Sequence, residues 1–486
     1  MTNSHFDLKA RAHQAMLEAG FKPDFTPEVR AEVQALQRDL GNDPAAGIRD
    51  LRSLLWSSID NDSSRDLDQV EYVEKLPDGG DRLLVGIADV DASVAIGSAM
   101  DRQAAAECTS VYTGVTTYPM LPIELSTDLT SLLDGKDRQA IIIELHIQDT
   151  GKVDCHDVYP AVLRNQAKLA YSSVGAWLEG RGPIPPAVAK VPGMEAQLRA
   201  QLQVAEKLRG IRKQQGTLSF ASVEASLVVD DGEVKDLVVS QHNKAEDIIE
   251  SFMVAANVAM AQFLKEKGSL AIRRVVKTPK RWDRIQAIAL QFGVKLPAVP
   301  DSRALADFLD QRRAADPDNF PDLSLSVVKM LGAGEYIVEH PGQEHEGHFG
   351  LGVQDYTHST APNRRYADLV TQRLLKAAAA GRPAPCSETE LGRIAIHCTD
   401  RAQAARSVER LMRKVVAAIL LSKRIGETFD GIITGATPKG TFVRLLKFPA
   451  EGMVVRGAQG VDVGDKVRVC LAGVDVAKGF INFERR

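Results

Sequence analysis

Cysteine is scarce in this chain. Five residues in 486, at positions 108, 155, 386, 398 and 470, form no Cys-x-x-Cys pair. That spacing excludes a zinc knuckle and a disulfide framework. A surplus of positive charge is also missing: 60 Lys and Arg stand against 64 Asp and Glu, for a net charge of −4. A nucleic-acid partner would therefore need a local basic surface rather than a basic chain. No apolar run approaches the ~20 residues that cross a bilayer, and the opening MTNSHFDLKARAHQAML has no apolar signal core. There is no P-loop lysine motif, so nucleotide hydrolysis has no support. These absences lead to the expectation of a reduced, soluble, cytoplasmic monomer with no membrane contact and no evident protein partner.

What is present is an ordinary globular composition, 44% hydrophobic and 26% charged, at a length that suggests two or three domains. Residues 1–50 read as short helices, broken at GFKPDFTPEV and GNDPAAG, with Thr26 and Pro27 as cap and first helical position. Residues 51–422 mix strands and helices. RLLVGIADVDASV (82–94) is a buried-strand pattern behind a PDGGD turn. AEDIIESFMVAANVAMAQFLKEKG (245–268) reads as an apolar helix stopped by Gly268. A capping box at Ser387 and Glu390 opens one or two further helices. Residues 423–486 change to short alternating segments, with Val467, Val469 and Leu471 spaced as in a half-buried strand. That pattern predicts a small closed barrel, most commonly an OB fold. Lys439, Arg444, Lys447, Arg456, Lys466 and Arg468 would give it an RNA-facing charge. The overall expectation is a multidomain α/β (α+β) chain.

The stretch SSIDNDSSRDLDQVEYVE (57–74) holds Asp60, Asp62, Asp66 and Asp68 within nine residues. Like charges so close repel one another unless hydrated or offset by a cation. Three readings compete. One is a solvated acidic loop. A second is a calcium loop over Asp60–Glu71, which lacks the glycine and the exiting helix that an EF-hand needs. The third is a catalytic magnesium site, for which a few carboxylates beside a buried strand are the usual donors. Elsewhere, His340, His345, His348 and His358 match no zinc spacing. RRVVKTPKRWDR (273–284) reads as a solvated basic face that could touch RNA phosphates.

Five ordered blocks go further: SIDNDSSRDLDQVEYV with LLVGIADVDASV, SVYTGVTTYPMLPIELS, AKLAYSSV, ESFMVAAN and HFGLGVQDYTHSTAPNRRYADLV. Over roughly residues 55–422 the chain resembles the catalytic domain of the ribonuclease II (RNB) exoribonucleases, and its tail resembles the family's C-terminal OB barrel. The resemblance implies a mixed-sheet RNB domain surrounded by helices, and a processive 3′→5′ exoribonuclease. That activity hydrolyses single-stranded RNA to nucleoside 5′-monophosphates with Mg2+, Mn2+ being a possible substitute. It implies metal-binding roles for Asp60, Asp66 and Asp68, with Asp68 also indispensable to catalysis, and places Arg364 on the scissile phosphate. It implies that Tyr112, Tyr171 and Phe220 stack on or fix terminal nucleotides, and that Glu250 and Glu409 lie near the ribose and the terminal base. Stacking accepts every base, which suits such an enzyme. Two departures stand out. Gln69 occupies the place of the family's fourth metal-site aspartate, and the first fifty residues read as helices where long members carry cold-shock domains. Gln69 keeps a second reading open, a non-catalytic RNA-binding relative with a decayed metal site.

Overall fold

The computed structural model of the chain describes residues 6–38, 48–77, 79–150, 152–220, 224–230, 233–240, 242–317, 319–340, 342–343, 345–437 and 440–486; for 224–230, 233–240 and 437 the backbone alone is described. The GNDPAAG break and Lys439 of the sequence reading lie outside these residues.

The centre is a seven-stranded mixed sheet. Its middle is an antiparallel run of Ser57–Asp60, Gln69–Lys75, Asp81–Ala88, Asp137–Ile147 and Val153–Arg164. Arg49–Asp50 and Ala167–Ala170 add in parallel at the two edges. Ala140 to Ile143 are all buried, the near-continuous apolar run that a strand covered on both faces requires. Gly86 sits where a Cβ would come within 2.8 Å of Leu163 Cδ2 and 3.0 Å of Val70 Cγ2, so its lack of a side chain lets neighbouring strands pack closely.

Helix Lys244–Glu266 carries a complete capping box, Asn243 with Glu246, and its apolar side packs against the sheet. By length and hydropathy it could cross a membrane, which the sequence reading passed over; here it is a core helix, buried from Ile248 to Leu264 along one side. The capping serine at 387 opens one helix, Glu388–Ser422, rather than two. The N-terminal helices Leu8–Glu18 and Pro27–Arg38 pack on the body, the first against Val408, Met412 and Val415 of that long helix.

The last strands, Thr428–Thr437, Gly440–Leu445, Glu451–Arg456, Lys466–Asp475 and Phe480–Arg485, close into a five-stranded barrel. Its core of Ile433, Val443, Leu471 and Phe483 is continued by Ala417, Ala418 and Leu421 of the long helix, which fixes the barrel on the body. Arg444 is ion-paired to Asp322 and braces barrel against body, so it is not one of the free barrel cations. Lys447, Lys466 and Arg468 are exposed. The RRVVKTPKRWDR run also departs from its solvated reading. Its first two arginines lie on the buried strand Ala271–Val275, where Arg273 pairs with Glu339 and Arg274 stacks over the Tyr336 ring at 4.7 Å.

Candidate active site

The aspartate loop joins two neighbouring strands of the sheet. Strand Ser57–Asp60 ends at Asp60 and strand Gln69–Lys75 begins just after Asp68. Leu67 is 1% exposed and anchors the loop in the core. Its N–H donates to Ser131 Oγ at 3.0 Å, and its carbonyl accepts from Leu132 N at 3.0 Å. The strand that follows is not a helix, so the calcium-loop reading falls.

The four aspartates separate by environment. Asp62 is exposed and held by Ser172 Oγ at 2.9 Å. Asp60 accepts from its neighbour Asn61 N at 2.7 Å and from Ser64 Oγ at 2.9 Å, and burial raises its pKa. Asp66 accepts from the Tyr112 hydroxyl at 3.3 Å. Asp68 is 2% exposed. Its Oδ1 accepts from Asn363 N at 3.1 Å; its Oδ2 lies 3.4 Å from Arg364 Nε, an ion pair without a hydrogen bond. Burial pushes the Asp68 carboxyl up to about 7, against the opposing pull of Arg364 and the Asn363 N–H.

Arg364 arrives on a turn stitched to the Tyr112 strand: its carbonyl accepts from Ser110 N at 3.0 Å. The next residue does a different job. Arg365 is pinned to the buried Asp368 at 2.6 Å, which also accepts from Ala361 N, so the turn is rigid while Arg364 stays half-exposed. Tyr112 is 42% exposed, with its N–H bonded to Glu409 Oε1 at 3.1 Å. Tyr171 opens helix Tyr171–Leu178; burial first, then the charges of Asp60 and Glu71, raise its hydroxyl pKa. Asp60, Asp66, Asp68, Arg364, Tyr112, Tyr171 and Glu409 are thus linked by contacts or mutual fields. Gln69 is 8% exposed at the head of its strand. Glu250 pairs instead with Arg212 at 3.2 Å. Phe220 packs with the separate apolar cluster of Trp282, Phe308 and Leu309.

Three residues had no place in the magnesium-site reading of the sequence, Glu71 having entered only as the end of the calcium loop. Asn363 acts through its backbone N–H, which leaves no side-chain signature. Asp368 holds the arginine turn. Glu71 is fully buried with neither carboxylate oxygen hydrogen-bonded, and burial, with the charge of Asp60 added, raises its pKa well above the usual range. The four histidines do not converge: His348 Nδ1 accepts from Leu351 N at 3.1 Å, and His358 Nδ1 is 2.8 Å from the Tyr336 hydroxyl. Among the described residues, Glu144, His146 and His156 bring three ligand atoms within 4.8 Å of one another. That group sits toward the far end of the same strands, with Glu144 already bonded by Arg82 Nε and Nη2 at 2.8 Å. The aspartate set is more open, but it fits a hard divalent cation better: it offers oxygen donors only, and Asp68 Oδ2 is a buried oxygen with no hydrogen bond.

Comparison with known proteins identifies the fold class and then the family. A family model described as the RNB domain matches residues 48–381, and one described as the RNase II-type exonuclease C-terminal S1 domain matches residues 427–486. The chain belongs to the RNB family. It is 31% identical over 447 residues to ribonuclease R of Thermotoga maritima, covering 89% of this chain and 61% of that protein. It is 29% identical over 470 residues to ribonuclease R of Escherichia coli, covering 93% and 56%. The chain therefore spans only about three fifths of the length of these relatives. Mycoplasma genitalium RNase R in complex with double-stranded RNA superposes with a TM-score of 0.85 at 25% identity, over 99% of this chain and 84% of that one. Yeast Ssd1, described as a pseudonuclease, shares the fold at a TM-score of 0.71 and 17% identity, over 92% and 56%.

Proposed function

We propose that the chain is a metal-dependent 3′→5′ exoribonuclease that hydrolyses single-stranded RNA to nucleoside 5′-monophosphates. One observation carries the reading: a buried aspartate with an oxygen free of hydrogen bonds, Asp68 Oδ2, faces a half-exposed arginine on a rigid turn. Asp60, Asp66 and Asp68 would hold the cation, Mg2+ in the first instance. When bound, it would neutralise phosphate charge and make a coordinated water more acidic.

The chain's own residues supply the rest. Arg364 presents its guanidinium to the scissile phosphate, where negative charge grows as water attacks phosphorus. The bond from phosphorus to the 3′ oxygen of the preceding nucleotide breaks. The phosphate leaves on the 5′ carbon of the released nucleotide, and the shortened RNA keeps a 3′ hydroxyl. Tyr112 and Tyr171 offer ring faces that accept any base, each contributing about 1–3 kcal/mol. Tyr112 also ties that role to the metal site through its bond to Asp66. Glu409 holds the Tyr112 backbone, which supports a role for it beside the terminal nucleotide. Processive action and roles for Glu250 and Phe220 remain parts of the proposal carried by the family resemblance.

The test is a 5′-labelled single-stranded RNA incubated with the full chain, with and without Mg2+. A ladder shortening from the 3′ end, with 5′-monophosphates as product and none in EDTA, is the expected result. RNA binding with no cleavage at any Mg2+ or Mn2+ concentration would replace this reading with a non-catalytic RNA-binding relative, which Gln69 at the fourth metal position favours.

A further inference from the structure

The paired strands Ala271–Val275 and Glu335–Glu339 lie against the long helix Glu388–Ser422, with Tyr336 N donating to Thr399 Oγ1 at 2.8 Å. Between these strands, that helix and the segment Cys108–Ser110 is a cavity of about 180 Å3. Three of its lining residues are arginines, Arg274, Arg365 and Arg406. Arg365 is spent on Asp368, to which it is bonded at 2.6 Å. Arg406 is exposed at the rim, beside Glu409, whose Oε1 already accepts from Tyr112 N. Three guanidinium groups against two carboxylates leave one positive charge over, and burial keeps the nearby His358 neutral.

Arg274 is the one without a carboxylate. It is 9% exposed, and a Cβ on Gly334 would collide with its guanidinium, so that glycine makes room for it. Across the strand pair its guanidinium stacks on the Tyr336 ring at 4.7 Å. Among the described residues it forms no ion pair, and its Nη1 is buried without a hydrogen-bond partner. An aromatic face offsets only part of the cost of a buried charge, and native folds satisfy buried polar groups. Ser110 adds a hydroxyl to the wall; its Oγ accepts from Met120 N at 2.9 Å, and its hydrogen can turn to an acceptor in the cavity.

We propose that this cavity is a second phosphate site, separate from the scissile phosphate at Arg364, and that it takes a phosphomonoester on Arg274 and Arg406. Arginine forks suit phosphate oxygens, and a dianion would answer both the buried charge and the open one. The cavity is smaller than the roughly 300–1,000 Å3 that encloses a drug-sized ligand, so it would hold the phosphate group and leave a nucleoside at the rim. Its wall shares Ser110 and Glu409 with the contacts that hold Arg364 and Tyr112. Two sources fit that chemistry: inorganic phosphate, and the 5′-phosphate of a released nucleotide, which rests on the exoribonuclease reading.

The test is calorimetry on the full chain in EDTA, without RNA, so that it does not depend on cleavage or on a metal. The probes are inorganic phosphate, adenosine 5′-monophosphate and adenosine. Wild type should bind the first two and not the third. Arg274→Met should weaken both by about 10–100-fold, the loss of one charge-assisted donor group, and Arg406→Gln by about threefold, as expected of a solvent-screened charge. Arg364→Gln should bind as wild type does. Tighter binding of the nucleotide than of phosphate supports the site with released product as its ligand, and equal binding supports it with free phosphate. Binding lost in Arg364→Gln but kept in Arg274→Met would place the anion at the scissile position and overturn the proposal. So would equal binding of adenosine, or no binding of either phosphate by wild type up to about 10 mM. Should Arg274→Met fail to fold, Arg406→Gln decides: unchanged phosphate affinity in that variant also overturns it.

Discussion

Replacing Asp68 by asparagine removes one charge and almost no volume. The amide oxygen can still accept from Asn363 N, which bonds Oδ1 at 3.1 Å in the wild type. The amide nitrogen then faces Arg364, where the carboxylate oxygen stood 3.4 Å from Nε. Two unit charges at that distance attract by about 5 kcal/mol at an effective dielectric constant near 20. Arg364 is 43% exposed, so solvent screens part of this. A loss of roughly 3–4 kcal/mol in transition-state stabilisation is then expected, the usual cost of removing one preorganised charged or donor group. That corresponds to a fall of about 10^2–10^3-fold in kcat/KM from the charge pair alone, and loss of the proposed metal ligand would deepen it. RNA affinity should stay within about threefold of wild type, because Arg364, freed from its counter-charge, still meets the phosphate. Single-turnover cleavage of labelled single-stranded RNA gives the rate, and fluorescence anisotropy gives the binding. Residual activity above about a tenth of wild type, where about 10^2-fold loss is the floor, refutes the assignment. So does a collapse of binding with activity per bound RNA unchanged.

Other perturbations read other parts of the chain. Gln69→Asp should lower the Mg2+ concentration for half-maximal rate without changing the products; an unchanged requirement would take residue 69 off the metal. His348 is held neutral: burial, with the charge of Arg274 added, lowers its pKa to about 4, and its Nδ1 accepts from Leu351 N. The unfolded chain takes up that proton below about pH 6.5 and the folded chain does not, so stability is intact above that pH. It is lost as pH falls toward 4, by about 3 kcal/mol at most. His348→Asn keeps an acceptor and should flatten melting temperature against pH in that window; an unchanged slope would place the acid lability elsewhere. Reversing the exposed barrel cations Lys447, Lys466 and Arg468 to Glu should weaken RNA binding and flatten its salt dependence by about 0.7 per lost phosphate contact. Equal slopes would make the barrel a packing module.

The sequence made legible what repeats or alternates. The barrel strands, the apolar helix ending at Gly268 and the turn before LLVGIADV all follow from period and punctuation. The aspartate loop was legible because several like charges beside a buried strand need an explanation. What stayed hidden depends on tertiary covering. QVEYVEK alternates polar with apolar, so Gln69 and Glu71 look like the wet face of a half-buried strand. In the fold both faces of this strand are covered and both residues are buried. Arg273 and Arg274 were misread for the same reason: a charged run signals solvent unless partners distant in sequence, here Glu339 and Tyr336, come to meet it. Asn363 contributes a backbone N–H, which any residue but proline would supply.

The adjacent arginines show why a motif alone underdetermines a site. Arg364 and Arg365 are chemically identical and neighbours in sequence. The turn sends Arg365 inward to Asp368, which is 0% exposed and also accepts from Ala361 N. That leaves Arg364 outward beside Asp68. The inward pair is the costlier to break, because removing one partner strands the other's charge in the core. Its catalytic effect is indirect: Asp368 fixes the turn, the turn fixes Arg364, and a displacement of about 1 Å in a phosphate-binding group can cost about 10^2-fold in rate. On the proposed function, Asp368 is therefore a positioning residue, and Arg364 is the one that would meet substrate. The two should separate kinetically. A change at Arg364 acts on turnover with the fold intact, whereas a change at Asp368 loosens the turn, so its losses in stability and turnover should move together.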